Sequence, residues 1–286
     1  VATPSLRRRR LVGALRSLRE QAGYKITEAA KEAGFSQAKL SDIEALKSGV
    51  TGDDTHALCQ LYGADEATTD ALVQLARQAR RRDWWAVYND DVLGSFSGFI
   101  ELEDDAREIS EFEADVIPGQ LQTEAYASTV IGRLAPDLDA DTIKQRVKLR
   151  MDRQQRARDR GSELWVVIGE GALRQATGGH AVMAEQLDHL KELAAKPGIT
   201  VQVLPHSNLG HSAMGVPFTL ITLRDGARYV YIEVIPGGVY MEDSRDIDQF
   251  ASTWTRLQAT ALDLDRSATM IGRIAHEHRS SVEDYD

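Results

Sequence analysis

The sequence predicts an α+β protein in three segments: an all-α head of five helices over residues 1–83, a helical connector over 84–160, and an α+β domain over 161–286 with a small, largely antiparallel sheet. Three observations carry this. Apolar residues recur three and four apart through the first quarter, the spacing of one helix face. After residue 161 that period gives way to short β-branched runs. Charge is also uneven: residues 1–50 hold ten bases against five acids, a net +5, which leaves −15 for the rest of a 286-residue chain of net charge −10. A basic reader joined to an acidic body has this pattern.

In the head, Leu11, Ala14, Leu15 and Leu18 form one stripe of a helix over 7–22, with Arg7, Arg8, Arg9 and Arg10 assigned to its polar side. Gly23 ends it. A short alanine-rich helix over 26–33 stops at Gly34, a residue that tolerates the left-handed turn conformation. Ser36 supplies a capping oxygen for a third helix over 37–46, whose inward face is Leu40 and Ile43. Helix, glycine turn, helix is the arrangement that places the second helix in the major groove of double-stranded DNA. The candidate DNA-binding residues are Arg7, Arg8, Arg9, Arg10, Lys25, Ser36, Gln37, Lys39, Ser41, Asp42 and Lys47. Gln pairs bidentately with adenine and Lys donates to guanine, while helix N-termini hold phosphates through free N–H groups. Helices over 54–61 and 66–82, the latter capped by Asp65, complete the head.

The stretch AGYKITEAAKEAGFSQAKLSDIE resembles the helix-turn-helix of the lambda-repressor-like (XRE) regulators. Later segments, VIPGQLQTEAYA, ITVQVLP, GVPFTLITL and YVYIEVIPGGVYMED, resemble the C-terminal regulatory domain of WhiJ-like regulators known mainly from actinobacteria. That resemblance implies a transcriptional regulator, often encoded beside a small partner protein in a pair likened to toxin and antitoxin. An antitoxin-like module that sequesters the small protein, with DNA binding for autoregulation, is the alternative it leaves. Two residues depart from the pattern: Ile26 stands where many relatives carry a DNA-backbone-contacting Gln, and Asp42 where a base or neutral polar residue is usual. A carboxylate facing phosphate is repulsive, although Asp accepts from the cytosine amino group.

Beyond the head, Arg80, Arg81 and Arg82 precede Trp84 and Trp85, read as packing aromatics rather than a base-stacking platform. Gly94, Ser95, Ser97 and Gly98 suggest a hinge. Helices are expected over 98–109, from Thr123, and over 140–159 after an Asp139 cap; the last is strongly basic and is read as a solvated face. Strands are expected over 164–168, 200–204, 218–223 and 228–234, with a helix over 182–195, a hairpin at Asp225–Gly226, a return at Gly237–Gly238 into 239–241, and closing helices over 247–262 and 267–278.

A lone Cys59 excludes an internal disulfide, and no apolar run is long enough to span a bilayer. No secretory h-region follows the arginines, so the expected setting is cytoplasmic and nucleoid-associated. No phosphate loop, His-Glu-x-x-His or Gly-x-Ser-x-Gly motif occurs, so neither an enzyme nor a cofactor or metal is expected. Glu170, Arg174, His206 and His211 are the candidate ligand-pocket residues, against the plainer reading of a surface ion pair and loop histidines. One helix-turn-helix reads few base pairs, so a homodimer engaging two half-sites is expected.

Overall fold

Ser5 opens α1 (Leu6–Gln21) by accepting the Arg8 N–H at 3.3 Å. α2 (Ile26–Glu32) starts with the Glu28 carboxylate accepting the Lys25 N–H at 3.0 Å. It ends at Gly34, whose φ of +73° lets the Phe35 N–H return to the Ala30 carbonyl at 2.7 Å. α3 (Gln37–Glu44), α4 (Gly52–Tyr62) and α5 (Glu66–Gln78) are capped by Ser36, Thr51 and Asp65. Their shared core includes Leu11, Leu15, Ala30, Leu40, Ile43, Leu58 and Leu72. The structure is a computed structural model that describes residues 5–80, 83–208, 210–234 and 237–283. The chain divides into two units, Val1–Val87 and Tyr88–Asp286.

The first unit is held by a buried fork. Arg19 on α1 donates to both oxygens of Glu44 on α3 at 2.6 and 2.9 Å, and its third nitrogen donates to the Tyr24 carbonyl at 2.8 Å. The two side chains are only 8% and 9% exposed. Glu44's hydrogen bonds, set against the cost of burial, hold the guanidinium pKa above its ordinary value. α3 ends on Leu46 at φ +59°, a position where glycine is usual; its side chain packs on the core while the Arg8 guanidinium grips its carbonyl at 2.8 Å.

The second unit begins with α6 (Asp90–Leu93), a 3-10 turn over Gly94–Phe96 and α7 (Ser97–Asp105). The segment expected as a hinge is therefore regular structure inside this unit. α7 runs directly into a strand, β1 (Ala106–Glu113), where the sequence suggested that the helix continued to residue 109. Then follow α8 (Glu124–Leu134), α9 (Ala140–Asp159), β2 (Glu163–Gly169), α10 (Glu170–Arg174), α11 (His180–Ala194), β3 (Ile199–Leu204), β4 (Phe218–Leu223), β5 (Arg228–Val234), β6 (Gly237–Met241), α12 (Ser244–Thr260) and α13 (Leu264–Glu283).

The sheet order is β3-β2-β1-β4-β5-β6. β1, β2 and β3 are parallel, whereas β1–β4, β4–β5 and β5–β6 are antiparallel. The sheet is thus mixed, correcting the largely antiparallel expectation, and residues 84–160 are not purely helical because they supply its inner strand. Parallel neighbours need crossovers, which α8 with α9 and α10 with α11 provide. Phe112 packs with Val167, Phe218, Val230, Trp254 and Leu257 beneath α12. On the opposite face Tyr231 meets Phe99 of α7 at a ring separation of 4.4 Å.

Breaking the Arg19–Glu44 fork leaves a buried guanidinium with only a long 3.5 Å contact to the exposed Glu20 as its ion pair. Glu44→Ala is expected to destabilise the first unit by about 3–5 kcal/mol, seen as lost amide-exchange protection over α1–α3 in the full chain. Arg19→Met/Glu44→Leu should recover most of it; equal protection in Glu44→Ala and wild type would contradict the fork's role.

Candidate functional site

α3 presents Gln37, Lys39 and Ser41 to solvent while Leu40 and Ile43 sit in the core. Ser36, also exposed, caps the helix by accepting the Lys39 N–H at 3.1 Å. The Lys39 ammonium donates to Asp54 at 2.8 Å and lies 4.0 Å from the Phe35 ring centre, which aims it across the start of α3. That hydrogen bond, against the cost of burial, lowers the Asp54 pKa. Lys25 and Lys47 are exposed and Asp42 is half-buried.

The arginine row divides. Arg9 is exposed, Arg10 is half-buried, and Arg8 clamps the Leu46 carbonyl. Arg7 is only 7% exposed, bonded to Asp83 at 2.7 Å and set 5.9 Å from the Trp85 ring centre. It therefore leaves the DNA-facing set. Its position one turn before Leu11 and two before Leu15, on the buried stripe, is the sequence signal for this. Trp85 is itself buried and meets Trp84 edge-on at 5.6 Å; Arg81 and Arg82 lie outside the described residues.

The four pocket candidates of the second unit make these contacts among the described residues. Glu170 is paired with Arg174 at 2.6 Å and accepts the His206 backbone N–H at 2.8 Å. Against the cost of burial, these bonds hold its carboxyl below the ordinary range. Arg174 also reaches Glu277 at 2.7 Å, and His211 stacks edge-on against Phe112 at 5.3 Å. These contacts fasten α10 to the β3 end and α13, the ion pair that the plainer sequence reading expects.

The cavities described in this unit include a neighbouring pair on the other face of the sheet, the first between α6, α8, α9 and β5 and the second between β1, β5, α7 and α9. A largely apolar chamber of about 280 Å³ is lined by Val92, Leu93, Ile131, Ala135 and Leu149, with Arg146 as a charged member. A smaller polar one of about 90 Å³ holds Glu111, Glu113, Gln120, Thr219 and Tyr231. Phe96, Leu134, Arg150, Arg153 and Glu233 line both. Arg153 forks onto Glu103 at 2.6 and 2.8 Å, and Gln120 donates to the same carboxylate at 2.8 Å. Arg150 donates to Gln122 at 2.6 Å, and burial beside Arg153 lowers its pKa to about 10. Burial, then the charge of Glu103, pushes the Glu111 carboxyl up to about 8; burial, then Glu111, pushes Glu113 up to about 9. Arg150 and Arg153 come from the helix read as a solvated basic face, and Glu111 and Glu113 from the end of a strand whose first half was read as helix. Lys144 and Lys148 of the same helix are exposed.

The first unit is a helix-turn-helix domain: residues 10–72 match the family model of that description. Residues 96–273, more than half of the chain, match the model of the domain of unknown function DUF5753, and the chain belongs to that family. No curated protein and no solved structure matches the chain. No helix among the described residues is long and apolar enough to cross a membrane.

The raised carboxyls set a pH dependence. An ordinary carboxyl of the unfolded chain ionises near 4.5, whereas Glu111 and Glu113 keep their protons in the fold up to about 8 and 9. The stability they contribute is complete below about 4.5 and is lost as pH rises through 8–9. Glu111→Gln should therefore raise the unfolding temperature at pH 9 by at least about 2–4 °C, the shift for 1 kcal/mol in a domain of this size, and change it little at pH 4.5. An equal shift at both pH values would contradict the assignment.

Proposed function

We propose that the chain is a sequence-specific transcriptional regulator that reads double-stranded DNA through α3 as a homodimer, under the control of its second unit. The observation that carries this is the exposed row Gln37, Lys39, Ser41 on a helix fixed at both ends, by the Ser36 cap and turn at its start and by the Glu44 fork and Arg8 clamp at its finish. A base-reading side chain discriminates only if its backbone cannot drift, and these four contacts supply that rigidity. Arg9, Lys25 and Lys47 are exposed cations in the same unit, suited to phosphates rather than bases. The resemblance to WhiJ-like regulators supports control through the second unit, whether by a small molecule or by a small protein encoded nearby. Two copies would double the base pairs read, with half-sites about one helical turn apart.

Binding of the full chain to its own promoter fragment, measured across a salt series, tests this. Lys39→Ala should cost about 1–3 kcal/mol on the preferred site and relax discrimination at one or two positions. Arg9→Ala should weaken all sequences alike and reduce the salt slope by about 0.9, with no change in thermal stability, whereas Arg7→Ala should lower thermal stability. Equal loss on every DNA for Lys39→Ala and Arg9→Ala would exclude sequence reading by α3.

A further inference from the structure

We propose that the two adjoining cavities walled by α9 and β5 form one binding site for a small monocarboxylate with an apolar body. The charge of the lining is positive. Arg146 and Arg150 both line it, and neither forms an ion pair among the described residues: Arg146 donates to the Asp91 carbonyl at 2.7 Å and Arg150 to Gln122 at 2.6 Å. Arg153 is neutralised by its fork onto Glu103. Glu111 and Glu113 hold their protons at pH 7, which leaves Glu233 as the unpaired acid of the lining against two unpaired guanidiniums. The surplus is one positive charge, which a monoanion neutralises.

The unsatisfied groups are donors. The Arg150 Nε–H is buried with no acceptor among the described residues, and a Cβ on Gly119 of the same lining would lie 3.7 Å from that nitrogen. Tyr231 is 3% exposed, and its hydroxyl is likewise buried with no partner among the described residues. The protonated carboxyl of Glu111, 8% exposed, brings a further O–H to the same chamber. Buried polar groups are normally satisfied, so donors without acceptors along one chamber indicate a missing acceptor. A carboxylate offers about four acceptor positions on two oxygens, and hydrogen bonds to an ionised acceptor are stronger than those to a neutral one. The larger chamber takes the rest of the molecule. Its walls of Val92, Leu93, Ile131 and Leu149 are apolar, and Phe96 and Leu134 continue from it into the polar chamber, so an apolar body lies there while the oxygens meet Arg150. An ammonium group would face two guanidiniums and could not accept the Arg150 Nε–H.

This site would provide the small-molecule control in the regulatory reading and rests on that reading only for any effect on DNA, so binding is measured without DNA. Calorimetry of the full chain at pH 7 with 3-phenylpropanoate, 3-phenylpropan-1-ol and 3-phenylpropylamine compares anion, neutral and cation on one scaffold. The acid should bind one to one and at least about tenfold tighter than the alcohol, a difference of about 1.4 kcal/mol, and the amine should not bind. Arg150→Gln should lower acid affinity about tenfold and erase the preference over the alcohol. Tyr231→Phe removes only a hydroxyl without a partner, so it should weaken acid binding about fivefold without lowering the unfolding temperature. Ala135→Trp, which fills the larger chamber from a half-buried position, should abolish acid binding. No acid binding, an amine affinity equal to the acid's, or undiminished acid affinity in any of the three variants would overturn the proposal. None of these results depends on whether α3 reads DNA.

Discussion

A guanidinium taken out of water is stable only where a carboxylate meets it with both oxygens and the remaining donors find acceptors. Each unit of this chain is organised by one such fork. Arg19 and Glu44 join α1 to α3, and since three residues beyond the α2 cap bring the chain to the Ser36 cap of α3, fixing α3 against α1 fixes the whole helix-turn-helix. Arg153 and Glu103 join α9 to α7 across the face of the sheet opposite α12. Such pairs add little net stability compared with apolar packing, but they make any other register of the two helices leave a buried charge alone. What they provide is placement: of the exposed row on α3 in one unit and of the cavity walls in the other.

The head was legible because several local signals agree at each boundary. Apolar spacing, capping Ser36 and Asp65, and the turn glycines Gly23 and Gly34 all mark the same helix limits that backbone geometry shows. The strand β1 was not legible. Its sequence AREISEFE continues a charged helix, and alternation is hidden because Glu111 is buried on one face while Phe112 is buried on the other. Only the neighbouring strands β2 and β4, distant in sequence, make it a strand. A mixed sheet follows directly, since β1 is the element with a parallel neighbour on one side and an antiparallel one on the other.

Candidate residues were legible in proportion to how local their role is. Gln37, Lys39 and Ser41 lie on the exposed face of one helix, a property that periodicity gives. Arg7 was misplaced because four consecutive arginines read as a single cationic patch, although helical geometry sends the first of them inward with Leu11. The cavity was invisible for a different reason. Its carboxylates and arginines come from β1, β5, α7 and α9, and each looks like ordinary surface charge until the fold turns them toward one another. Glu170 and His206 were singled out by proximity to glycines and to other polar residues, yet together they fasten α10 to the chain after β3.

The position of β1 also bears on how the second unit is made. Synthesis delivers β1 after the head, but its parallel neighbour begins only at Glu163 and its antiparallel neighbour only at Phe218. Until both emerge, a strand that buries Phe112 on one side and Glu111 on the other has two open edges, and its Phe112 side still lacks α12. The first unit can close on local contacts while the second must wait for distant ones, so the slow step of biogenesis falls in the sheet, during an interval when chaperones and unwanted strand partners compete for the same exposed backbone.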